Sequence, residues 1–380
     1  MPFAVFFGLA VIFSIALLLL RREKLIKSSK EWIISALIMF CIIAVRAALF
    51  SHMTDDYLDF LKPWVEFFRE NGGFRALGYS VGNYNPPYLY FLALFSYSGI
   101  SELYLIKLLS VLFDVLLAWA CMKLLSVFTK RRLFLLACFF GILCLPTVGL
   151  NSAYWGQCDS IYVFFAVLSL YLAFTEKPVQ SMISLAASLA FKLQAVFIMP
   201  VFFIFLVCRR IKFRQLFIFP LAYVLYILPA VIAGRPFADT VTLYVSQAGT
   251  VGDGMNYNAP SLTSMFSWQA DTALWSRLLI LAAFAFVFIC FAVAIAKRRS
   301  VRDIALFAFA AVFTVAIPYL LPHMHDRYFY LAGLMLVCIA VYDIRFIIAP
   351  ILAEAASLRC YYAYFNRCYI VQPRLGGAAM

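Results

Sequence analysis

Long apolar segments follow one another along almost the whole chain, and they constrain its fold more than any other feature. The first, residues 3–20, carries no charge and is long enough to cross about 30 Å of hydrocarbon as a helix. Only 13% of the residues are charged and 66% are hydrophobic, whereas soluble domains carry about 25% charged residues. So few charges cannot cover a water-exposed surface, and helices satisfy their own backbone hydrogen bonds in lipid. The sequence therefore predicts an all-α polytopic membrane protein.

We expect residues 1–380 to form a single integral membrane domain, because no linker, low-complexity tract or internal repeat divides the chain. By length, the apolar segments predict a bundle of about 11 membrane-spanning helices. These lie at 3–20, 32–50, 104–127, 133–150, 160–174, 181–192, 194–207, 215–233, 273–296, 302–321 and 327–343. The segment Tyr88–Tyr97, about ten residues long, is too short to cross and is expected to lie flat as an interfacial helix. The tail, residues 346–380, is ambiguous: residues 347–356 are compatible with a further partial helix, and those after Pro373 are expected to be disordered.

The net charge is +13, and many of the basic residues form four short runs between apolar segments. They are Arg21, Arg22, Lys24, Lys27 and Lys30; Lys130, Arg131 and Arg132; Arg209, Arg210, Lys212 and Arg214; and Lys297, Arg298, Arg299 and Arg302. Such runs beside membrane spans mark the cytoplasmic side and meet anionic lipid headgroups. The basic residues therefore indicate topology and contact with membrane lipids, and we expect no nucleic-acid partner.

This topology places the N-terminus and two large loops, residues 51–103 and 234–271, on the non-cytoplasmic side. We expect the functional face there, since most carboxylates and all three histidines fall on that side. Short loops and the absence of an Asn-x-Ser/Thr sequon favour a bacterial cytoplasmic membrane. The endoplasmic reticulum membrane is the alternative.

The first large loop carries three carboxylates just after the second span: Asp55, Asp56 and Asp59. A carboxylate there can serve as a general base whose pKa a neighbour tunes. The alternative is a solvated helix start, where Asp is a favoured N-cap. Further along the loop, Tyr84 and Asn85 precede two prolines, a rigid turn that suits either an active site or plain helix initiation.

The segment Asn151–Asp159 combines an aromatic ring, an amide and a carboxylate in Trp155, Gln157 and Asp159. In a helix, Trp155 and Asp159 would share a face. That arrangement suits a sugar, whose C–H face packs on the ring while its hydroxyl groups form hydrogen bonds. An interfacial tryptophan is the structural alternative.

Lys192 and Gln194 lie within apolar sequence. An ionisable group inside the membrane is functional by default, with snorkelling to the interface as the alternative. Asp114, midway along its span, is suspect for the same reason, although the sequence does not reveal its partner.

The segment 322–330, where a span leaves and re-enters the membrane, carries His323, His325, Arg327 and Tyr328. In a helix, His323 and Arg327 would face one anion, and arginine suits phosphate through its planar fork. Two histidines and an aspartate also suggest a metal. Histidines two positions apart cannot share one helical face, so a phosphate-and-sugar role is favoured over zinc.

The order of these motifs resembles that of GT-C glycosyltransferases. Acidic residues after an early span, Tyr-Asn-Pro-Pro, Asn-Ser-x-x-Trp-Gly-Gln-x-Asp, Phe-Lys-x-Gln and Met-His-Asp-Arg-Tyr follow one another between residues 50 and 335. The chain most resembles the mannosyltransferases related to the second mannosyltransferase of GPI-anchor assembly, and more distantly the lipid-linked glucosyltransferases of N-glycan assembly. The Trp-Gly-Gln-x-Asp and Met-His-Asp-Arg-Tyr elements are the most specific, and an extra N-terminal span is a departure from the pattern.

The resemblance implies a GT-C-type bundle in which an inverting transferase moves a hexose, mannose favoured, from a polyprenyl-phosphate-linked donor to a glycan or glycolipid acceptor on the outer face. It maps the general base onto Asp56, with Asp55 second and Asp59 third, because spacing alone does not separate them. The leaving phosphate would be neutralised by Lys192, His323, His325 and Arg327. The sugar and acceptor would contact Tyr84, Asn85, Trp155, Gln157, Asp159, Gln194 and Tyr328.

The cofactor requirement is open, because some GT-C enzymes need a divalent metal and others do not. The adjacent carboxylates of Asp55 and Asp56 would be its ligands. Two rival functions remain. A secondary transporter also places ionisable groups near the mid-membrane, although such folds often show internal repeats and none is found here. A lipid-linked glycan polymerase or ligase would share the outer-face chemistry but draw on a larger donor.

Overall fold

The computed structural model describes residues 1–249, 252, 254–266, 271–370 and 372–380. Its α-helices, numbered along the chain, are α1 (Phe3–Arg22), α2 (Ser29–Leu49), α3 (Lys62–Glu70), α4 (Pro86–Phe95), α5 (Glu102–Phe128), α6 (Arg132–Cys144), α7 (Pro146–Gly149), α8 (Asp159–Phe174), α9 (Pro178–Phe191), α10 (Pro200–Val207), α11 (Phe213–Leu216), α12 (Ile218–Ile232), α13 (Phe237–Gly249), α14 (Thr272–Ala296), α15 (Asp303–Leu320), α16 (Tyr330–Tyr342), α17 (Ile348–Asn366) and α18 (Pro373–Ala379). Turns of 3-10 helix lie at Gly73–Gly78, Leu193–Phe197, Leu262–Met265 and Ile344–Phe346, and π-helical turns at Tyr57–Leu61 and Leu150–Trp155. Two short parallel strands, β1 (Asn256–Tyr257) and β2 (Met324–His325), pair with each other.

Seven helices in the described part of the chain are long and apolar enough to cross a membrane. They are Phe3–Arg22, Ser29–Leu49, Glu102–Phe128, Phe213–Ile232, Thr272–Ala296, Asp303–Leu320 and Ile344–Asn366. Helix α6 and the segment Pro146–Trp155 make an eighth if counted as one span, bent by 50°. The protein is thus an all-α multi-pass membrane protein, as its composition predicts. The count of eleven is not confirmed, because four of the predicted spans form apolar helices of fewer than 18 residues.

The four basic runs lie together at one end of the bundle. The contacts there are the ion pairs Arg132–Glu31 and Arg210–Asp303 and the stacked rings of Phe128 and Phe307, whose centroids are 5.0 Å apart. Each of these residues belongs to a basic run or lies within a few positions of one. The arrangement is the one that the positive-inside rule requires of a multi-pass protein.

A buried ion pair joins α2 to α5. Arg46 Nε donates a hydrogen bond to Asp114 Oδ2 at 3.2 Å, and Ser152 Oγ donates to the same oxygen at 2.6 Å. Asp114 thus has in Arg46 the partner that the sequence did not reveal. Removing one member of a buried ion pair costs about 3–5 kcal/mol. Because Ser152 belongs to the turn Leu150–Trp155, its hydrogen bond to Asp114 also anchors that turn.

The tail departs from its sequence prediction. In place of a partial helix, Ile344–Asn366 forms a candidate span of 23 residues. The expectation of disorder after Pro373 is wrong, because Pro373–Ala379 is helical and packs on α17 through the buried Gly376. The apolar character of Ile344–Asn366 is diluted by polar side chains, which is why hydropathy alone left it ambiguous.

Helix α4 has ten residues, so it is too short by itself to cross a bilayer, as its length predicted. It packs along α12, where the Tyr90 hydroxyl donates to the Tyr226 carbonyl oxygen at 2.9 Å. Its location at the membrane interface stays a prediction. The packing of α4 on α12 fixes the position of the turn before α4, and this turn carries Tyr84.

Candidate active site

The carboxylate of Asp56 lies at the centre of a hydrogen-bonded cluster formed by distant segments of the chain. Its Oδ2 accepts hydrogen bonds from Trp155 Nε1 at 2.9 Å, Gln157 Nε2 at 2.7 Å and Arg327 Nη1 at 2.9 Å. Its Oδ1 accepts one from the Tyr364 hydroxyl at 2.7 Å. A carboxylate offers about four lone-pair positions, so Oδ2 is fully engaged while Oδ1 keeps room for one more donor.

Asp56 is held as a carboxylate. Its partial burial raises its pKa, but the charge of Arg327 and the hydrogen bonds from Tyr364, Arg327 and Trp155 outweigh that effect. The pKa of Asp56 therefore lies below its ordinary value. At neutral pH this group is an anion and an acceptor of hydrogen bonds.

Lys107 holds the chain just before Asp56. Its Nζ donates to the carbonyl oxygens of Leu49, Phe50 and His52 at 3.2, 3.1 and 2.6 Å. The carbonyls at the C-terminal end of a helix lack intrahelical partners. The buried ammonium of Lys107 satisfies those that end α2, and so it fixes where the loop with Asp56 begins.

Gly156 turns the chain so that both Trp155 and Gln157 reach Asp56. It ends the π-helical turn with a φ of +79°, a left-handed conformation that costs other residues about 1–2 kcal/mol and glycine almost nothing. This turn breaks the helix, so the helical spacing expected between Trp155 and Asp159 does not occur.

Trp155 positions the carboxylate and does not present a free face for a sugar. Its side chain is buried, with only 1% of its surface exposed. The Tyr364 ring stacks on it at 4.4 Å between centroids, and the Arg327 guanidinium lies 4.7 Å from its centre. The expected stacking of a sugar on Trp155 is therefore excluded in this conformation.

Lys192 forms a buried ion pair with Asp159, whose other carboxylate oxygen accepts a hydrogen bond from Asn151 Nδ2 at 2.7 Å. Helix α9 ends at Phe191, and Lys192 has an extended backbone before the chain turns again. The helix break thus directs the ammonium into the site, 5.7 Å from the centre of the Tyr84 ring. The cation expected at this position is present, and Asp159 compensates its charge.

A cavity of about 220 Å³ opens beside Lys192 and Arg327. Six of the residues expected at the site line it: Tyr84, Lys192, Gln194, His325, Arg327 and Tyr328. Asn83 and Tyr244 add polar groups that the sequence reasoning did not include. Two cations among hydrogen-bonding side chains make this cavity suited to a polar, anionic ligand.

Arg327 stays charged although it is largely buried. Burial lowers its pKa, but the neighbouring carboxylates of Asp326, Asp159 and Asp56 more than compensate and raise it. Asp326 lies 4.0 Å from Arg327 Nε, and burial raises the pKa of Asp326 to about 6. Arg327 is thus a fixed cation between the carboxylate of Asp56 and the cavity.

His325 supplies hydrogen bonding to the cavity without charge. Its ring stacks on Tyr257 with 4.8 Å between centroids, a contact set by the pairing of β1 and β2. Burial, and then the charge of Arg327, lower the pKa of His325 to about 4. The imidazole is therefore neutral at pH 7, so Lys192 and Arg327 carry the positive charge.

Asp55 and Asp59 lie outside the cluster. Both are exposed, and Asp55 forms an ion pair with Arg367. Each of the two adjacent carboxylates has a cationic partner, Arg367 for Asp55 and Arg327 for Asp56. Among the described residues, no group of three or more His, Cys, Asp or Glu side chains has metal-binding geometry.

His323 and Asn85 are also held elsewhere. The ring nitrogens of His323 contact the Gly254 carbonyl oxygen at 2.7 Å and the Ser276 hydroxyl at 3.2 Å. Asn85 is fully buried and donates to the Tyr223 hydroxyl at 2.8 Å. Both residues therefore shape the loops around the site and do not line its cavity.

Helix α17 contributes the part of the site that the sequence reasoning missed. Besides Tyr364, it brings the Tyr361 hydroxyl within 3.2 Å of Asn151 Nδ2 and the Phe365 ring within 4.8 Å of the Trp155 ring. The available signal was the aromatic run 361–365 at the end of a segment with few charges. It was overlooked because the helix that carries it was not predicted to cross.

No protein-family model matches this sequence, and no curated protein is significantly similar to it.

Proposed function

We propose that this protein is an inverting hexosyltransferase of the GT-C type. It moves a hexose, mannose favoured, from a polyprenyl-phosphate-linked donor to a glycan or glycolipid acceptor. The observation that carries the proposal is the ionised carboxylate of Asp56 beside a cavity lined by Lys192 and Arg327. Transfer from a sugar phosphate needs a base for the acceptor hydroxyl and positive charge for the leaving phosphate.

The proposed step uses Asp56 Oδ1, because Oδ2 already accepts three hydrogen bonds. The acceptor hydroxyl gives its proton to Oδ1 while its oxygen attacks the anomeric carbon from the side opposite the phosphate. The bond between that carbon and the phosphate oxygen breaks, and its electron pair leaves with polyprenyl phosphate. Lys192 and Arg327 stabilise the charge that develops on the leaving phosphate.

Arg327 couples the two halves of this step. Its Nη1 lies 2.9 Å from Asp56 Oδ2, and the same guanidinium lines the cavity. In the resting site its charge weakens Asp56 as a base. As negative charge develops on the phosphate, the phosphate competes with Asp56 for the guanidinium, so Asp56 becomes more basic when the acceptor must lose its proton.

The groups available to the sugar are those that line the cavity. Tyr84, Gln194 and Tyr328 line it, and the buried Gln194 Oε1 is without a hydrogen-bond partner among the described residues. His325 offers a neutral ring nitrogen. Trp155, Gln157 and Asp159 act behind them, since they hold Asp56 and Lys192 in place.

We place this chemistry on the non-cytoplasmic face, in a bacterial cytoplasmic membrane. Supporting evidence comes from the helices that reach both ends of the bundle. Helix α8 begins at Asp159 in the site and ends at Phe174, whose ring packs on Phe128 beside a basic run. The site and the basic runs therefore lie at opposite ends, and the positive-inside rule assigns the basic end to the cytoplasm.

The test is transfer by the full-length protein in proteoliposomes. The donor is polyprenyl-phosphate mannose labelled in the sugar, with a total lipid and glycan extract as the acceptor. We expect label to enter the acceptor fraction with release of polyprenyl phosphate, and Asp56→Asn to lower this transfer by a factor on the order of 10² or more. Equal consumption of mannose, glucose and galactose donors by the wild type, by Asp56→Asn and by empty liposomes would overturn the proposal.

A further inference from the structure

A larger cavity, of about 760 Å³, lies between the loop that carries β1, the start of α14 and the tail. Arg359 and Arg374 line it together with amide and hydroxyl side chains, and none of its described lining residues is acidic. It shares no described lining residue with the cavity at Lys192 and Arg327. It is therefore a separate compartment, with two arginines among its described lining residues.

The guanidinium of Arg359 is incompletely satisfied. Its Nη2 donates to Cys360 Sγ at 3.0 Å, and sulfur is a weak acceptor. Its Nε and Nη1 are buried and have no hydrogen-bond partner among the described residues. Buried charged donors are costly unless they are paired. The guanidinium of Arg359 therefore lacks, among the described residues, the acceptor that its charge requires, and none of the described residues that line the cavity is a carboxylate.

The tail keeps this guanidinium in place. A Cβ added to Gly376 would lie 2.3 Å from Arg359 Nε, so α18 packs directly on the arginine side chain. Only a glycine allows so close an approach of the backbone. The orientation of Arg359 is thus fixed before any ligand arrives.

Arg359 also borders an apolar groove of about 510 Å³ between α17 and the turn Leu150–Trp155. Leu358, Phe365 and Ile370 line this groove, and none of its described lining residues is acidic. Arg359 therefore lies where a polar compartment meets an apolar one. This combination matches a molecule with an anionic head and a hydrocarbon chain.

We propose that Arg359 binds the phosphate of a lipid headgroup, with the headgroup in the larger cavity and a hydrocarbon chain in the apolar groove. Arginine suits phosphate because its planar fork donates two parallel hydrogen bonds. Arg359 lies about 10 Å from the end of its candidate span, and a long arginine side chain at such a position reaches toward the headgroups. The inference does not depend on sugar transfer at Asp56.

The test is native mass spectrometry of the full-length protein in detergent, titrated with dioleoyl phosphatidic acid or with dioleoylglycerol, which has the same chains but no phosphate. We expect the first bound phosphatidic acid to be favoured about tenfold or more, the effect of a charge-assisted hydrogen bond. Arg359→Gln should remove this preference and Arg359→Lys should keep part of it. Arg367→Gln, an exposed arginine at the end of the same helix, is the matched control and should behave as the wild type.

Two further measurements distinguish binding of a lipid phosphate from binding of free inorganic phosphate. Ile370→Glu, a change at an exposed groove residue, should weaken lipid binding while Arg359 remains. Inorganic phosphate alone should compete poorly with phosphatidic acid. If it competes fully and Ile370→Glu has no effect, the site binds free phosphate, and the lipid assignment is overturned. No preference for phosphatidic acid in the wild type, or equal losses in Arg359→Gln and Arg367→Gln, would overturn the site itself. If Arg359→Gln fails to fold, Ile370→Glu and Arg359→Lys carry the test.

Discussion

Tyr364 donates a hydrogen bond to Asp56 at 2.7 Å, across 308 positions of the sequence. This contact joins the first large loop to the last candidate span, so the site is complete only when the whole bundle has assembled. Because the hydroxyl binds Oδ1, the oxygen with a remaining lone-pair position, Tyr364 also lies beside the point where the proposed acceptor hydroxyl would arrive.

Replacing Asp56 tests the proposed base directly. Asp56→Asn keeps size and hydrogen bonding but removes the proton acceptor, so turnover should fall by a factor on the order of 10² or more while donor binding persists. Asp55→Asn and Asp59→Asn should change turnover little, since both side chains are exposed outside the cluster. The measurement is turnover with labelled donor in each variant. If Asp55→Asn loses activity severely while Asp56→Asn stays active, the base is Asp55.

The hydrogen bond from Tyr364 should be visible in the pH dependence of transfer. The bond stabilises the ionised form of Asp56, so Tyr364→Phe should raise the pKa of that carboxyl. Activity requires the carboxylate and is lost as pH falls through its pKa, so the acidic limb of the pH–rate profile should move to higher pH. Tyr342→Phe, at the basic end of the bundle, is the control. An unmoved acidic limb in Tyr364→Phe would show that Asp56 does not control it.

Arg327 should affect both the stabilisation of charge on the leaving phosphate and the pKa of Asp56. Arg327→Gln removes the cation shared by Asp56 and the cavity, so we expect a loss of turnover of roughly 10² at saturating donor and an acidic limb shifted to higher pH. Arg327→Lys keeps the charge without the planar fork, so it should recover part of the rate. Near-normal turnover in Arg327→Gln would remove this residue from the phosphate step.

Lys192 and Asp159 should be coupled in stability. Lys192→Met leaves the buried Asp159 carboxylate without its cation, which costs about 3–5 kcal/mol and should lower the thermal unfolding midpoint in detergent. The double variant Lys192→Met with Asp159→Leu removes both charges and should recover much of that loss while transfer stays impaired. If the double variant is as unstable as the sum of the single variants, the two residues do not act as a pair.

Topology follows from the basic runs. On a cysteine-free background, a cysteine placed at position 131 should react with a membrane-impermeant reagent only after the cytoplasmic side is opened. A cysteine at the exposed position 59 should react from the outside in intact cells. Labelling of position 131 from the outside would mean that the protein has the opposite orientation in the membrane and that the site around Asp56 faces the cytoplasm.

The sequence by itself determined the class of the fold, and it pointed to several polar residues that meet in the cluster around Asp56. Apolar length and scarcity of charge depend on local composition, so they predicted an all-α multi-pass protein without any knowledge of packing. Polar groups in apolar surroundings must find one another, because each is costly alone. This is why Asp56, Trp155, Gln157, Lys192 and Arg327, taken from motifs far apart, converge in one cluster.

Only the tertiary structure decided how those groups are paired. Spacing could not separate Asp56 from Asp55 and Asp59, because the side of this helical segment that faces the cluster depends on distant contacts such as those of Lys107. It could not show that Trp155 is covered on its faces or that Arg46 is the partner of Asp114. The largest omission, α17, arose because its fit to the bundle is created by long-range packing of aromatic rings, which hydropathy along the chain does not register.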